Sequence, residues 1–225
     1  MPLAKFSKIE GYAEKRHGGA KGVAEILKQH PGGKPSDLKR GDDRFLAGMA
    51  QGVFSAGFNW KVIEAKWDGF EEAFFGFNVR KVASFDDDDI ARLLADTRIV
   101  RHGPKIKSTI ENARFILEIA KEHGSFGKFL RDWPASDQIG LIEVLKTRGS
   151  RLGGATGSYF LRFNGWDAFI LSRDVVAALI REGVIDKAPT GKAAMKAVQE
   201  AFNVWTRESG RPQREVSRIL ALSVG

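Results

Sequence analysis

The sequence contains no cysteine. That absence removes disulfides, thiolate nucleophiles, zinc–thiolate sites and iron–sulfur clusters together. Histidine is scarce, with 4 residues and no HExxH spacing, which argues against a zinc site. No apolar run reaches the roughly 18 residues of a membrane span, and the N-terminal MPLAKFSKIEGYAEKRHGG has no signal-peptide core. Alternating β-branched runs are rare as well. These absences lead to the expectation of a cytoplasmic, all-α protein that uses no membrane, metal or cofactor.

What is present is charge of one sign in excess. Lys and Arg number 36 against 28 Asp and Glu, for a net charge of +8. A surplus of this size suits a polyanionic partner, because clustered cations displace counterions from phosphates. A basic soluble enzyme without such a partner fits the charge equally well. The 225 residues suffice for one large domain or two small lobes with a real core.

Helical spacing runs through most of the chain. GDDRFLAGMAQGVFSAGF (41–58) opens on Asp42 and Asp43 and repeats Phe45, Leu46, Met49, Val53 and Phe54 on one face. Asn59 is placed to cap a helix carrying Trp60, Val62 and Ile63. Ser84 precedes FDDDDIARLLAD, whose acids in a first turn oppose the positive helix end, so Asp86 to Asp89 read as a solvated helix start and not a metal site. Pro104 suits the first turn of KIKSTIENARFILEIAKEH. Trp133-Pro134 ends the next helix, and Asp137 opens another. DVVAALIREG closes at Gly183, Thr190 is placed to cap GKAAMKAVQEAFNVWTRESG, and REVSRILAL ends the chain. HPGGKPSDLKRGDD (30–43) reads as a loop.

Three segments could carry chemistry. In LKTRGSRLGGATGSYFLRF, Gly153, Gly154 and Gly157 lie between two helical patterns. A glycine turn leaves backbone N–H groups bare at the start of the second helix, a natural phosphate site, and Arg148 and Arg151 lie just upstream. Close helix packing explains the same glycines. In IVRHGPKIKSTIENAR, Arg101, His102, Lys105 and Lys107 surround a second turn, either another phosphate edge or a solvated basic face. In GVFSAGFNWKVIEAKW, Phe54, Phe58, Trp60 and Trp67 offer aromatic faces beside the small residues Ser55, Ala56 and Gly57. A base drawn out of a duplex needs such faces to stack on, and a core helix packed on its neighbour has the same pattern.

In this order, AGFNW (56–60), IVRHGPKI…NAR (99–114) and LKTRGSRLGGATGSYF (145–160) resemble the helix-hairpin-helix DNA glycosylase superfamily, and within it the DNA-3-methyladenine glycosylase I (Tag-type) family. The resemblance covers roughly residues 40 to 180, and its middle segment is the most specific. It implies a two-lobed helical fold with an N-terminal extension and loop over 1–40. The glycosylase-like domain over 41–225 then has its hairpin at about 145–175. It further implies a protein that grips double-stranded DNA bearing a damaged base, flips that base into an aromatic pocket and cuts its N-glycosidic bond. The hairpin turn maps to Gly153, Gly154, Ala155, Thr156 and Gly157, with Arg151, Arg101 and Lys105 on the DNA side. The base pocket maps to Trp60, with Phe54 and Phe58.

The same resemblance exposes two departures. The family carries a base-recognising glutamate eight residues before the tryptophan, where this chain has Gly52. The wider superfamily carries an aspartate after the hairpin, where this chain has Ser172. The family's zinc ligands are absent with the cysteines. Asp174, two residues beyond the empty slot, is the candidate electrostatic stabiliser, with Asp167 and Glu64 behind it; a plain first-turn acid is the other reading of Asp174. Ser172 itself reads as a helix N-cap. The expectation is a monomeric glycosylase for alkylated bases of the 3-methyladenine type. The alternatives are a catalytically silent DNA-damage or DNA-structure binding protein, and a helical protein that uses the fold for protein contacts.

Overall fold

The computed structural model describes residues 3–29 and 32–224. Among them are fourteen α-helices, two short 3-10 helices and no strand, as the scarcity of alternating patterns requires. None of these helices is long and apolar enough to cross a membrane. The chain forms two compact units. One comprises residues up to 33, 134–140 and those from 167 onward; the other comprises 34–133 and 141–166.

The second of these units holds the three segments singled out above. Its central helix, Asp42–Ser55, buries Phe45, Leu46, Met49, Val53 and Phe54 on the face predicted from their spacing. Phe54 packs edge-on against Phe70 at 4.7 Å, and Phe70, Phe74 and Phe77 continue the aromatic core as stacked rings. The long helix Gly103–His123 lies against both Asp42–Ser55 and the short helix Val79–Ala83. A tight crossing sets one glycine: a Cβ on Gly48 would meet the Asn164 amide at 2.6 Å, inside any real contact.

The other unit joins the two ends of the chain. The residues read as an N-terminal extension form the helices Phe6–Arg16 and Gly19–Gln29. Phe6, Ile9 and Ala13 enter a core with Phe169, Leu179, Phe202 and Trp205. Phe169 and Phe202 stack at 4.1 Å, and the Trp205 indole donates to the carbonyl of Ala4 at 2.9 Å.

Most helix boundaries follow their caps. Asn59 Oδ1 accepts from Lys61 N, Asp137 Oδ1 accepts from Gly140 N, and Pro104 sits in the first turn of its helix. Asp86 caps the acidic run, accepting from Asp88 N and Asp89 N, while Ser84 Oγ donates backward to the carbonyl of Lys81. One cap differs from expectation: Thr190 is not the cap of Lys192–Ser209, and Gly191 holds that position without a side-chain bond. The loop expected over 30–43 contains a 3-10 turn, Pro35–Lys39. Asp86→Ala is expected to lower the unfolding free energy by about 1 kcal/mol, the usual loss for an N-cap, as read from urea denaturation.

Candidate nucleic-acid interface

The glycine segment is a helix, a turn and a helix. Gln138–Arg148 leads into residues 149–153, and Gly154–Phe163 follows. Two residues of the turn region take left-handed backbone, Arg151 at φ 60° and Gly154 at φ 57°. Glycine adopts this conformation freely, whereas an arginine there stores on the order of 1–2 kcal/mol. The second helix starts at Gly153, which has no side chain to cap it, and Gly154 and Ala155 are exposed. The first N–H groups therefore face outward at the positive end of the helix, an arrangement that takes an anion. Gly157 serves packing instead: it is buried, and a Cβ there would overlap the carbonyl of Leu152 and meet Ile142 Cδ1 at 2.9 Å.

The NAR segment holds this turn from behind. Asn112 is fully buried; its Nδ2 donates to the carbonyl of Ser150 at 3.0 Å, and its Oδ1 accepts from Ser150 N at 2.7 Å. One side chain thus satisfies both backbone groups of the residue before Arg151. Arg148 is turned away, paired through both guanidinium nitrogens with Glu122 at 2.6 and 2.9 Å. Arg151 is exposed and lacks an ion pair among the described residues.

In the RHG segment the charges divide. Arg101 and Lys107 are exposed. His102 caps the helix Gly103–His123, its Nδ1 accepting from Lys105 N at 3.3 Å, which assigns the ring proton to Nε2. Lys105 turns inward and is only 6% exposed. Its Nζ donates to the carbonyl of Phe54 at 3.1 Å and to that of Ala56 at 2.7 Å, where the helix Asp42–Ser55 ends, and lies 4.5 Å from the centre of the Phe58 ring. Burial pushes its ammonium below the usual lysine range, and the nearby Arg151 guanidinium pushes the same way.

The aromatic segment divides too. Phe54 is fully buried in the core, while Phe58 is 46% and Trp60 59% exposed. Both exposed rings sit where the chain leaves Asp42–Ser55, passes Gly57 at φ 74° and enters the helix Trp60–Ala65. Gly52 lies on the helix Asp42–Ser55 one turn before its end and faces Thr156 of the helix Gly154–Phe163, whose Cγ2 would lie 3.7 Å from a Cβ at that position. The first helical turn after the glycine turn, the exposed rings and Gly52 therefore belong to one unit.

The acids named from the sequence divide between the two units, Glu64 on the helix that begins at Trp60 and Asp167 and Asp174 in the other unit. Asp174 is exposed in the first turn of the helix Arg173–Arg181, in the unit that holds the chain ends. Ser172 is the N-cap of that helix, its Oγ accepting from Val175 N at 3.3 Å. Asp167 accepts from Gln213 N at 2.8 Å and Arg214 N at 3.0 Å, so it caps the helix Gln213–Leu222. Glu64 is exposed. Lys105, expected on the DNA side, instead turns inward to the carbonyls of Phe54 and Ala56, and the pair of hydrogen bonds from Asn112 to Ser150 has no local signal in the sequence.

The sequence model of the methyladenine glycosylase family matches residues 36–150, just over half of the chain. That stretch includes Gly52, Trp60, Lys105, Asn112 and the first part of the turn. DNA-3-methyladenine glycosylase 1 of Escherichia coli (strain K12) is 30% identical over 122 residues, covering 46% of this chain and 65% of its own length. DNA-3-methyladenine glycosylase of Haemophilus influenzae is 26% identical over 122 residues, covering 46% and 66%. The chain thus spans just under two thirds of the length of these curated relatives. Among solved structures, a variant of 3-methyladenine DNA glycosylase I in complex with 3-methyladenine aligns with a TM-score of 0.52 at 28% identity, covering 68% of this chain and 91% of that one. The 3-methyladenine DNA glycosylase I of Staphylococcus aureus aligns with a TM-score of 0.50 at 29% identity, covering 56% and 77%.

Proposed function

We infer what this chain does from one premise: it belongs to the methyladenine glycosylase family. On that premise it is a DNA-repair glycosylase that binds duplex DNA containing a damaged base, draws the base out and hydrolyses its N-glycosidic bond. Its substrates are alkylated bases of the 3-methyladenine type, the molecule bound in one of the solved relatives. The observation that carries the reading is the Asn112-held turn, which sets an uncapped helix start and the exposed Arg151 side by side.

In this reading the backbone N–H groups of Gly154, Ala155 and Thr156 take a phosphate, and Arg151 and Arg101 add charge. Such contacts fix position on the duplex without reading its sequence. Phe58 and Trp60 supply the exposed rings against which an extruded base stacks, and the buried Phe54 supports them from the core. The bond from C1′ to the base nitrogen then breaks, and the electron pair leaves with the base. A cationic alkylated purine becomes neutral as it departs, so little acid assistance is needed. Water adds to C1′ and loses a proton, and a carboxylate stabilises the positive charge on the sugar. Asp174 is the residue proposed for that last role. The chain works as a cytoplasmic monomer without cofactor or metal.

Incubating the protein with DNA that contains 3-methyladenine tests this directly, with free base as the measured product. Release above background is expected, and its absence would refute the enzyme reading. Asp174→Asn should lower release by about a hundred- to a thousandfold with DNA affinity unchanged, the scale of losing one electrostatic stabiliser; unchanged release excludes Asp174. A second reading, a binding protein without chemistry, is favoured by two observations. Ser172 is committed to a helix cap, and Gly52 brings no carboxylate to the hairpin. In that case damaged duplex binds, with affinity that falls as salt rises, and no base is released.

A further inference from the structure

We propose that Lys105 is a positioning residue that holds the segment 56–59, and with it Phe58 and Trp60, in place.

The segment has little else to hold it. Ala56, Gly57, Phe58, Asn59 and Trp60 are all exposed, and a Cβ on Gly57 would meet nothing within 4 Å. What anchors its start from outside is the Lys105 ammonium, bonded to the carbonyls of Phe54 and Ala56 and set under the Phe58 ring. Those carbonyls end the helix Asp42–Ser55, where a cation is favourable. The same helix that carries Lys105 also carries Asn112, which fixes Ser150 next to Arg151. One rigid element therefore supports both the aromatic segment and the turn.

The hold is opposed at neutral pH. Among the described residues Lys105 has no carboxylate partner; the charged group acting on it is Arg151, and the titratable group that caps its own helix is His102. The helix Asp42–Ser55 and the 56–59 segment present it with carbonyls and a ring only. Burial and Arg151 both lower its proton affinity relative to an opened state, in which the amine is solvated. In the window between the lowered value and the ordinary lysine pKa of about 10.4, the opened state binds more protons, so raising pH favours the closed segment.

Hydrogen exchange of the 55–61 amides in the free protein tests this without any reference to activity. In Lys105→Met, exchange there should quicken by about tenfold or more, with the helix Lys192–Ser209 unchanged. Wild-type protection, corrected for base catalysis, should rise at 55–61 alone as pH approaches the ordinary lysine value. Unchanged exchange in Lys105→Met overturns the positioning role. If Lys105→Met does not fold, the wild-type pH series decides, and a uniform response along the chain refutes the proposal. A protein that releases no base but passes these arms refutes the glycosylase reading and leaves this one standing.

Discussion

Asn112→Ala should lower the unfolding free energy by about 2–4 kcal/mol and weaken duplex DNA binding by about tenfold or more. The side chain is fully buried and makes two bonds to one residue, Ser150. Truncation leaves the half-buried N–H and carbonyl of that residue without their partner, at up to about 1–3 kcal/mol for an unsatisfied group, and opens a cavity in addition. The loss does not stay local, because Arg151 follows at φ 60°, a conformation that an arginine keeps only when its neighbours impose it. Gly149 shows how closely the turn is fitted: a Cβ there would meet the carbonyl of Leu145 at 2.6 Å and Asn112 Oδ1 at 3.3 Å. With Ser150 released, Arg151 relaxes out of the left-handed region and the helix start at Gly154 loses its fixed direction. Urea denaturation measures the first effect, and fluorescence anisotropy with a labelled duplex measures the second. A folded variant that binds DNA as the wild type does would mean that phosphate is not gripped at this turn. Asn112→Asp separates the two bonds, since it keeps the acceptor for Ser150 N and loses the donor to the Ser150 carbonyl.

Much of this arrangement is legible in the sequence, for reasons that differ from residue to residue. Asn59, Pro104 and Asp137 mark helix starts because capping acts within three or four residues, the range over which sequence can be read directly. The glycine turn is legible because positive φ and close helix packing both call for glycine, and Gly154 and Gly157 supply one of each. Lys105 reads as a surface cation, since lysine is rarely buried. Its inward turn depends on carbonyls about fifty residues earlier in the chain. Asn112 finds its partner 38 residues later. The first helices are longer-range still: Phe6 N donates to Glu208 Oε2, a contact that no local pattern announces. What escapes sequence reading here is thus mainly the side chain whose partner is backbone far along the chain.

Gly52→Glu should raise the release of 3-methyladenine from DNA by about tenfold or more over the wild type. The position is open to a side chain: the nearest atoms to a Cβ are Thr156 Cγ2 at 3.7 Å and the Thr156 carbonyl at 4.0 Å, both in ordinary contact range. Gly52→Ala should accordingly stabilise the protein by about 0.5–1 kcal/mol, because a helix interior prefers alanine to glycine by that amount. It serves as the control for the added backbone stiffness. A glutamate carries its carboxylate past that Cβ toward the region bounded by Thr156 and the exposed Phe58 and Trp60. A cationic base entering there meets an opposite charge in partly desolvated surroundings, and each factor of ten in rate requires only about 1.4 kcal/mol of that attraction to be specific to the transition state. The gain should therefore appear with a cationic lesion and be small with a neutral one, since the carboxylate discriminates by charge. Release that stays flat in a folded Gly52→Glu protein with unchanged DNA affinity would place the extruded base away from the Gly52–Thr156 contact. Release that rises equally for cationic and neutral lesions would instead assign the new carboxylate to the sugar, where it stabilises the same positive charge whichever base departs.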